Sequence, residues 1–432
     1  MHCADCSVQP FPIETAKAAD VVAFYVPMHT ATRLALNLLQ TVKEENPAAH
    51  ICFFGLYAPV NEPFLRRCGV DTILGGEFEQ GLADLRKRLQ TESKKQRNLA
   101  ADGAVQPQPE PLISLDRQQF ITPERDGLPP LAEYAQLFNG RKTSKPVGYT
   151  EATRGCKYHC RHCPVVPVYN GRFRVVQKAV VLADIRQQVA AGAEHITFGD
   201  PDFFNGPGHV LPIVTAMQAE FPGITYDVTI KIEHLLKYRL HLPALRDSGC
   251  ILITSAVESI DDAVLRIFDK GHTREDFFTA VKLLDDAGLA LNPTFVTFTP
   301  WTTLKNYRDL LNTLAELNLV ENVSPIQLAI RLLIPHGSRL LELKEIQPFI
   351  GEFNAELLTY DWQNQNPLVE ELYRRVTSLV STENTDLDGR LKIFKNVWGL
   401  VNEMLGESQE FPGSRNRRSR AEIPYLNEPW YC

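Results

Sequence analysis

The chain has 432 residues, 44% apolar and 22% charged, with 45 basic against 52 acidic side chains and a formal charge of −7. This balance excludes a disordered or collagen-like chain and gives no global attraction to nucleic acid or to an anionic membrane surface. No apolar run reaches the roughly 20 residues of a bilayer span, and Met1-His2-Cys3-Ala4-Asp5-Cys6 lacks the layout of a signal peptide. A cytoplasmic protein with no nucleic-acid or membrane partner is the expectation.

Strand and helix signals alternate over residues 1–90. Short apolar runs at 21–26, 51–55 and 72–74 read as buried parallel strands. Helical spacing follows each: 31–45, with Leu34, Leu38 and Val42 on one face, then 62–68 and 77–89. The reading is a small doubly wound α/β domain with its crevice beyond the strand C-termini, near 27–30, 55–57 and 75–78. Residues 91–145 are polar and proline-punctuated, a linker whose first half is expected to be mobile and whose second half straps along the next domain.

From residue 146 to 340 the alternation resumes. Strands are expected at 147–152, 195–198, 225–232, 251–256, 290–297 and 325–330, with helices at 180–191, 209–221, 234–248, 261–268, 273–287 and 303–317. Six β/α units in order predict a parallel sheet curved into a partial barrel, with chemistry at the strand C-termini. Residues 341–432 read as a helical extension, with helices at 369–379 and 391–405. It ends in the basic stretch 415–420, read as solvated surface, and the tail Glu428-Pro-Trp-Tyr-Cys432.

Nine cysteines are too few for a disulfide scaffold at this length. Cys52, Cys68 and Cys250 read as inert core thiols. Cys156, Cys160 and Cys163 share one loop directly after the first barrel strand, spaced C-x3-C-x2-C. Zinc would want a fourth ligand, which His159 or His162 is placed to supply. A 4Fe-4S cluster held by three thiolates keeps one iron open for a cosubstrate. The loop's place ahead of five more β/α units favours the cluster.

Over roughly residues 145–340 the sequence resembles the radical S-adenosylmethionine (SAM) superfamily. The resemblance implies that Cys156, Cys160 and Cys163 hold a 4Fe-4S cluster whose open iron is chelated by SAM. One-electron reduction then cleaves SAM, usually to a 5′-deoxyadenosyl radical, with an electron donor such as flavodoxin or ferredoxin. His162 stands where the family usually has an aromatic residue. Phe198-Gly199-Asp200-Pro201-Asp202 resembles the segment receiving the SAM amino group, against turn formation or helix capping as the alternative role of both aspartates. Ser255-Ala256-Val257-Glu258-Ser259 resembles the element near the ribose and methionine parts of SAM, and Lys270-Gly271-His272-Thr273 the helix boundary after it. Lys231 and Glu233 are further candidate cofactor contacts. Arg331 is a candidate partner of the SAM carboxylate, with a structural ion pair as its alternative.

The first 90 residues resemble the cobalamin-binding domain that precedes many radical SAM cores, which makes cobalamin a candidate third cofactor. His29 stands in the expected cobalt-ligand loop, but Pro27 replaces the aspartate that orients such a histidine and Thr32 the glycine. The whole chain resembles the CUAEP/CCAEP-tail radical SAM proteins, although Ile423-Pro424-Tyr425-Leu426 replaces their upstream cysteine or selenocysteine pair. A relative in that group transfers the 3-amino-3-carboxypropyl group of SAM to arsenic in arsinothricin formation. The implied activity is therefore methyl or aminocarboxypropyl transfer to a small-molecule or metalloid substrate. Cys3, Cys6 and Cys432 are the candidate catalytic thiols for a soft metalloid, or else exposed thiols on loose termini. The competing classes are a non-catalytic iron–sulfur sensor and a zinc-dependent lyase.

Overall fold

The computed structural model describes residues 2–97, 109–138, 144–382, 389–407, 411–412 and 424–427. The expectations for the first half of the linker, the basic stretch and Cys432 fall partly or wholly outside the described residues.

The first sheet is parallel and runs β1 (Val21–Tyr25), β2 (His50–Phe54), β3 (Thr72–Gly76), β4 (Ile113–Ser114) in that order. The last strand comes from the linker, paired through Gly75↔Ile113 and Gly76↔Ser114. Helix His29–Glu45 buries Ala35, Leu39 and Val42, while Leu34 is 41% exposed. The buried stripe thus lies one residue round from the expected Leu34–Leu38–Val42 face, because Ala35 lets the helix approach the sheet closely.

The second sheet carries five parallel strands in sequence order: β6 (Ser144–Thr150), β9 (His195–Phe198), β10 (Thr225–Thr229), β11 (Cys250–Glu258) and β12 (Ala290–Phe295). It is extended past β6 by β5 (Gln136–Phe138) and β15 (Tyr425–Asn427), both antiparallel to their neighbours. The two faces divide cleanly. Ile196, Phe198, Tyr226, Val228, Ile253, Val257 and Leu291 are buried beneath the helices, each worth about 1.5–3 kcal/mol relative to exposure for residues of this size. The alternate positions carry several polar residues, which form a network on the inner face. Thr197 Oγ1 donates to Asp227 Oδ1 at 2.6 Å, His195 Nε2 lies 2.9 Å from that oxygen, and Asn292 donates to Thr254 at 3.2 Å.

The sixth expected strand is different. Pro325 opens a 3-10 turn over Pro325–Leu328, and only the parallel bridge Phe298↔Arg331 closes the sheet there. Proline has no amide hydrogen for a ladder, so the turn wins over the apolar run. The C-terminal extension also departs from an all-helical reading. Helices Pro367–Thr382 and Gly389–Leu405 are present, but β13 (Ile350–Asn354) and β14 (Thr359–Trp362) form a hairpin ahead of them.

The linker's second half does lie along the barrel. Arg125 pairs with Asp184 at 2.8 Å and donates to the Tyr149 carbonyl, and Phe120 N donates to Gln177 at 3.0 Å. Among the described residues no helix is long and apolar enough to cross a membrane.

Candidate active site at the cysteine loop

The cysteine loop is framed by a small hairpin of β7 (Thr153–Gly155) and β8 (Phe173–Val175), and closes on helix Val165–Tyr169. The hairpin's root is tied to the neighbouring strand end. Asp200 accepts from Ala152 N at 2.9 Å and from the Thr153 hydroxyl at 2.5 Å. Burial raises the Asp200 carboxyl to about 7, although these hydrogen bonds favour the charged form. Both its oxygens are therefore directed at the loop. Gly199 is needed beside it, since a Cβ there would sit 1.8 Å from the Tyr149 hydroxyl.

The three thiols meet two ammonium groups. Lys231 Nζ lies 3.7 Å from Cys160 Sγ and 3.4 Å from the centre of the Tyr158 ring. Lys270 is buried, lies 3.3 Å from Glu258 Oε1, and its charge is favoured by Cys160 and Cys163. Burial pushes the thiols of Cys156 and Cys163 up to about 11 and about 12, against Lys231 and Lys270 respectively. Such thiols become ligands when a cation displaces their protons, and the two ammoniums compensate the resulting negative charge. The donor set fits a thiolate-ligated iron–sulfur cluster.

Zinc fits less well. His159 is exposed, with Nδ1 3.4 Å from Arg339, and His162 is engaged with Glu258 at 3.1 Å.

Glu258 ends β11 in the left-handed region, at φ 66°, where the register with β12 shifts. A non-glycine residue pays for that backbone, and here it turns the carboxylate towards Lys270 and His162. Burial opposes the charge, yet Lys270 and His162 more than offset it and hold the carboxyl down at about 2. His162 in turn packs on Phe268, ring centres 4.4 Å apart.

Asp202 is buried. Its Oδ1 caps the turn at Phe204, and its Oδ2 lies 2.6 Å from Nδ1 of His234, whose Nε2 is 2.7 Å from the Tyr158 hydroxyl. That carboxylate–imidazole–phenol series braces the cysteine loop between Cys156 and Cys160. Its two inner members, His234 and Tyr158, were not singled out from the sequence.

A polar cosubstrate is also accommodated. Several buried polar atoms near the two ammoniums make no well-formed hydrogen bond, namely His162 Nδ1 and both ring nitrogens of His272, while Glu233 Oε2 lies 3.6 Å from the Lys231 ammonium. Native interiors rarely leave such groups unmet. An amino-acid nucleoside such as SAM carries the hydroxyls, ammonium and carboxylate to meet them, so the site fits SAM.

Two of the expected cofactor contacts are engaged elsewhere. Arg331 pairs with Glu370 at 2.9 Å, donates to the Trp362 carbonyl at 2.6 Å, and stacks 3.7 Å over the Trp362 ring. This is the structural ion pair, anchoring the C-terminal helices to the barrel. His29 donates from Nε2 to the Leu357 carbonyl at 2.6 Å, and Arg33 donates to Glu356 O, so the β13–β14 turn covers that loop. Nε2 is thereby committed, and burial lowers the basicity of the ring against the opposing effect of this hydrogen bond. Cys3 and Cys6 are exposed free thiols, and Cys432 lies outside the described residues.

The C-terminal edge of the first sheet docks on the back of the cysteine loop. Val60 packs with Val165, Val168 and Tyr169, joined by Leu56, Cys156 and Cys163. Tyr169 donates to the buried Glu77 at 3.1 Å, and Arg154 bridges Glu77, Glu79 and Glu151. Beside this contact the Tyr25, Phe54 and Phe78 rings lie 5.0–5.7 Å apart, and Tyr25 is half-exposed.

A parallel partial barrel carries three thiols on the loop after its first strand, ringed by paired carboxylates and ammoniums, an arrangement suited to an iron–sulfur cluster and a nucleoside cosubstrate. Residues 150–316 match the family model of the radical SAM superfamily. It is 27% identical over 149 residues to the tRNA-2-methylthio-N(6)-dimethylallyladenosine synthase of Chlorobium chlorochromatii, covering 33% of each chain. It is 28% identical over 133 residues to the bacteriochlorophyllide d C-12(1)-methyltransferase of Chlorobaculum tepidum, covering 30% of this chain and 28% of that one. The matched segments thus span about a third of these curated relatives. Among solved structures, the cobalamin-dependent SAM radical enzyme OxsB, with aqua-cobalamin bound, superposes with a TM-score of 0.63 at 15% identity, over 91% of this chain and 64% of that one. The radical SAM methyltransferase TsrM of Kitasatospora setae, with cobalamin and a 4Fe-4S cluster bound, gives 0.55 at 16% identity, over 71% and 64%. At these identities the likeness is one of fold.

Proposed function

We propose that the protein is a radical SAM methyltransferase acting on a small molecule, with Cys156, Cys160 and Cys163 as the ligands of its 4Fe-4S cluster. The observation that carries this reading is the cysteine loop itself, where one buried and two half-buried thiols face Lys231 and Lys270 close to unmet imidazole nitrogens. A cluster held by Cys156, Cys160 and Cys163 would supply the reducing electron for cleavage of SAM. The chain's own part is to hold and orient. Asp200 fixes the loop's root, Asp202–His234–Tyr158 fixes its middle, and Glu258 with Lys270 and His162 sets a charged wall beside it.

The fold shared with OxsB and TsrM, the methyltransferase relative and the resemblance of the first 90 residues support a corrinoid at the junction of the two sheets. Tyr25, Phe54 and Phe78 offer it an aromatic edge. His29 is not its cobalt ligand in this reading, because Leu357 already holds Nε2.

Product analysis tests the proposal. Anaerobic protein with dithionite, SAM and hydroxocobalamin is expected to release S-adenosylhomocysteine and 5′-deoxyadenosine. Release of 5′-methylthioadenosine would instead indicate aminocarboxypropyl transfer, the chemistry of the arsinothricin-forming relative, with Cys3, Cys6 and Cys432 as its candidate thiols. Absence of any cleavage product would leave the non-catalytic sensor.

A further inference from the structure

His272 lies between two residues that fix its position. Gly271 has φ 76°, the left-handed backbone that favours glycine, and its Cα faces the Glu233 carboxylate. Thr273 caps helix Arg274–Ala287 with a reciprocal Thr273–Asp276 box. The imidazole between them is 7% exposed, yet neither ring nitrogen makes a well-formed hydrogen bond. The Val257 carbonyl is within influence of the ring. Even if it takes one N–H, the other nitrogen has no partner.

The surroundings are charged. Burial and then Lys270 and Lys231 disfavour the imidazolium, with Glu258 opposing them weakly, and the ring is held neutral with its pKa at about 4. A neutral imidazole offers one donor and one acceptor. The ionic groups nearby are suited to an ammonium or a carboxylate, whereas this ring suits a neutral partner that both gives and takes a hydrogen bond. A sugar hydroxyl is such a group. His162, on the cysteine loop, also has an unmet ring nitrogen, and Glu233, in helix Ile232–Lys237, pairs with Lys231 at 3.6 Å. Two separate elements, the cysteine loop and the turn ahead of helix Arg274–Ala287, therefore carry unsatisfied imidazole nitrogens.

We infer that His272 is a SAM-binding residue that hydrogen-bonds the nucleoside half of the molecule, an inference resting on the radical SAM reading above. The test uses the full chain, reconstituted anaerobically with iron and sulfide. SAM binding is measured by equilibrium dialysis, and 5′-methylthioadenosine binding by its displacement of labelled SAM. His272→Ala is expected to weaken both ligands by about tenfold, with iron content at the wild-type level. His272→Gln, which keeps a donor and an acceptor, is expected to recover most of that loss. SAM affinity within about twofold of wild type in His272→Ala would overturn the inference. So would weakened SAM with unchanged 5′-methylthioadenosine, since the contact would then lie on the amino-acid half. Failure of the wild-type protein to bind SAM at all would take down the radical SAM reading and this inference together, and is distinguishable from the first two results.

Discussion

Replacing Glu258 by Gln removes the carboxylate that compensates Lys270, a side chain only 4% exposed. Lowering a carboxyl from its ordinary 4.5 to about 2 corresponds to about 3 kcal/mol of folding stability. The Glu258 side chain is 11% exposed, so solvent screens little of it. The sign follows from the depressed value: the contribution is complete above pH 4.5 and is lost as pH falls through about 2, so a measurement at pH 7 sees all of it. For a barrel of this size the melting temperature should fall by about 6–12 °C. Lys270→Met leaves the carboxylate buried with only His162 and should cost about as much or more. The double variant Glu258→Gln/Lys270→Met should recover about 2–3 kcal/mol of the summed loss. The assay is thermal unfolding of the four proteins at matched iron content. Single-variant losses that add to within about 0.5 kcal/mol would refute the coupling and with it the charged wall.

Asp200 has the opposite sign. Its carboxyl is raised to about 7 from 3.8, so its contribution is complete below pH 3.8 and is lost as pH rises through about 7. Denaturant midpoints should therefore decline from pH 5 to pH 8, and Asp200→Asn should flatten that decline; an unchanged slope would contradict it. Tyr158→Phe removes one hydrogen bond to His234, worth about 1 kcal/mol, and should accelerate iron loss to a chelator, which absorbance decay would follow. Arg331→Ala should destabilise the protein by about 2–4 kcal/mol through the lost ion pair and ring stacking while leaving SAM affinity unchanged; a selective loss of SAM binding would restore it to the site. In protein loaded with cobalamin, His29→Ala should leave the Co(II) electron paramagnetic resonance spectrum unaltered, and loss of a nitrogen splitting would show that His29 is a cobalt ligand.

The local chemistry of the site was readable because it is local. C-x3-C-x2-C, the strand after which it falls, and the order of β/α units are all patterns within short windows. The five parallel strands from β6 to β12 stand where alternating apolar runs place them. What escaped reading depends on partners far away in sequence. Arg331 ends a plausible strand, and nothing near it announces Glu370 or Trp362. His29 sits in the right loop for a cobalt ligand, but its partner Leu357 arrives 328 residues later on a hairpin tip. The apolar run at 325–330 lost to a proline that cannot donate to a ladder. His234 was hidden for another reason. A lone histidine in a helical stretch carries no pattern, and only its contact with Asp202 and Tyr158 marks it.

The central claim is the cluster on the loop after β6. Iron and acid-labile sulfide counted on anaerobically reconstituted protein, with low-temperature electron paramagnetic resonance of the reduced protein before and after SAM, test it most directly. The account predicts about four of each per chain, a signal that SAM shifts, and loss of both in Cys156→Ala, Cys160→Ala or Cys163→Ala. A colourless protein holding one zinc ion, unaffected by these substitutions, would contradict it.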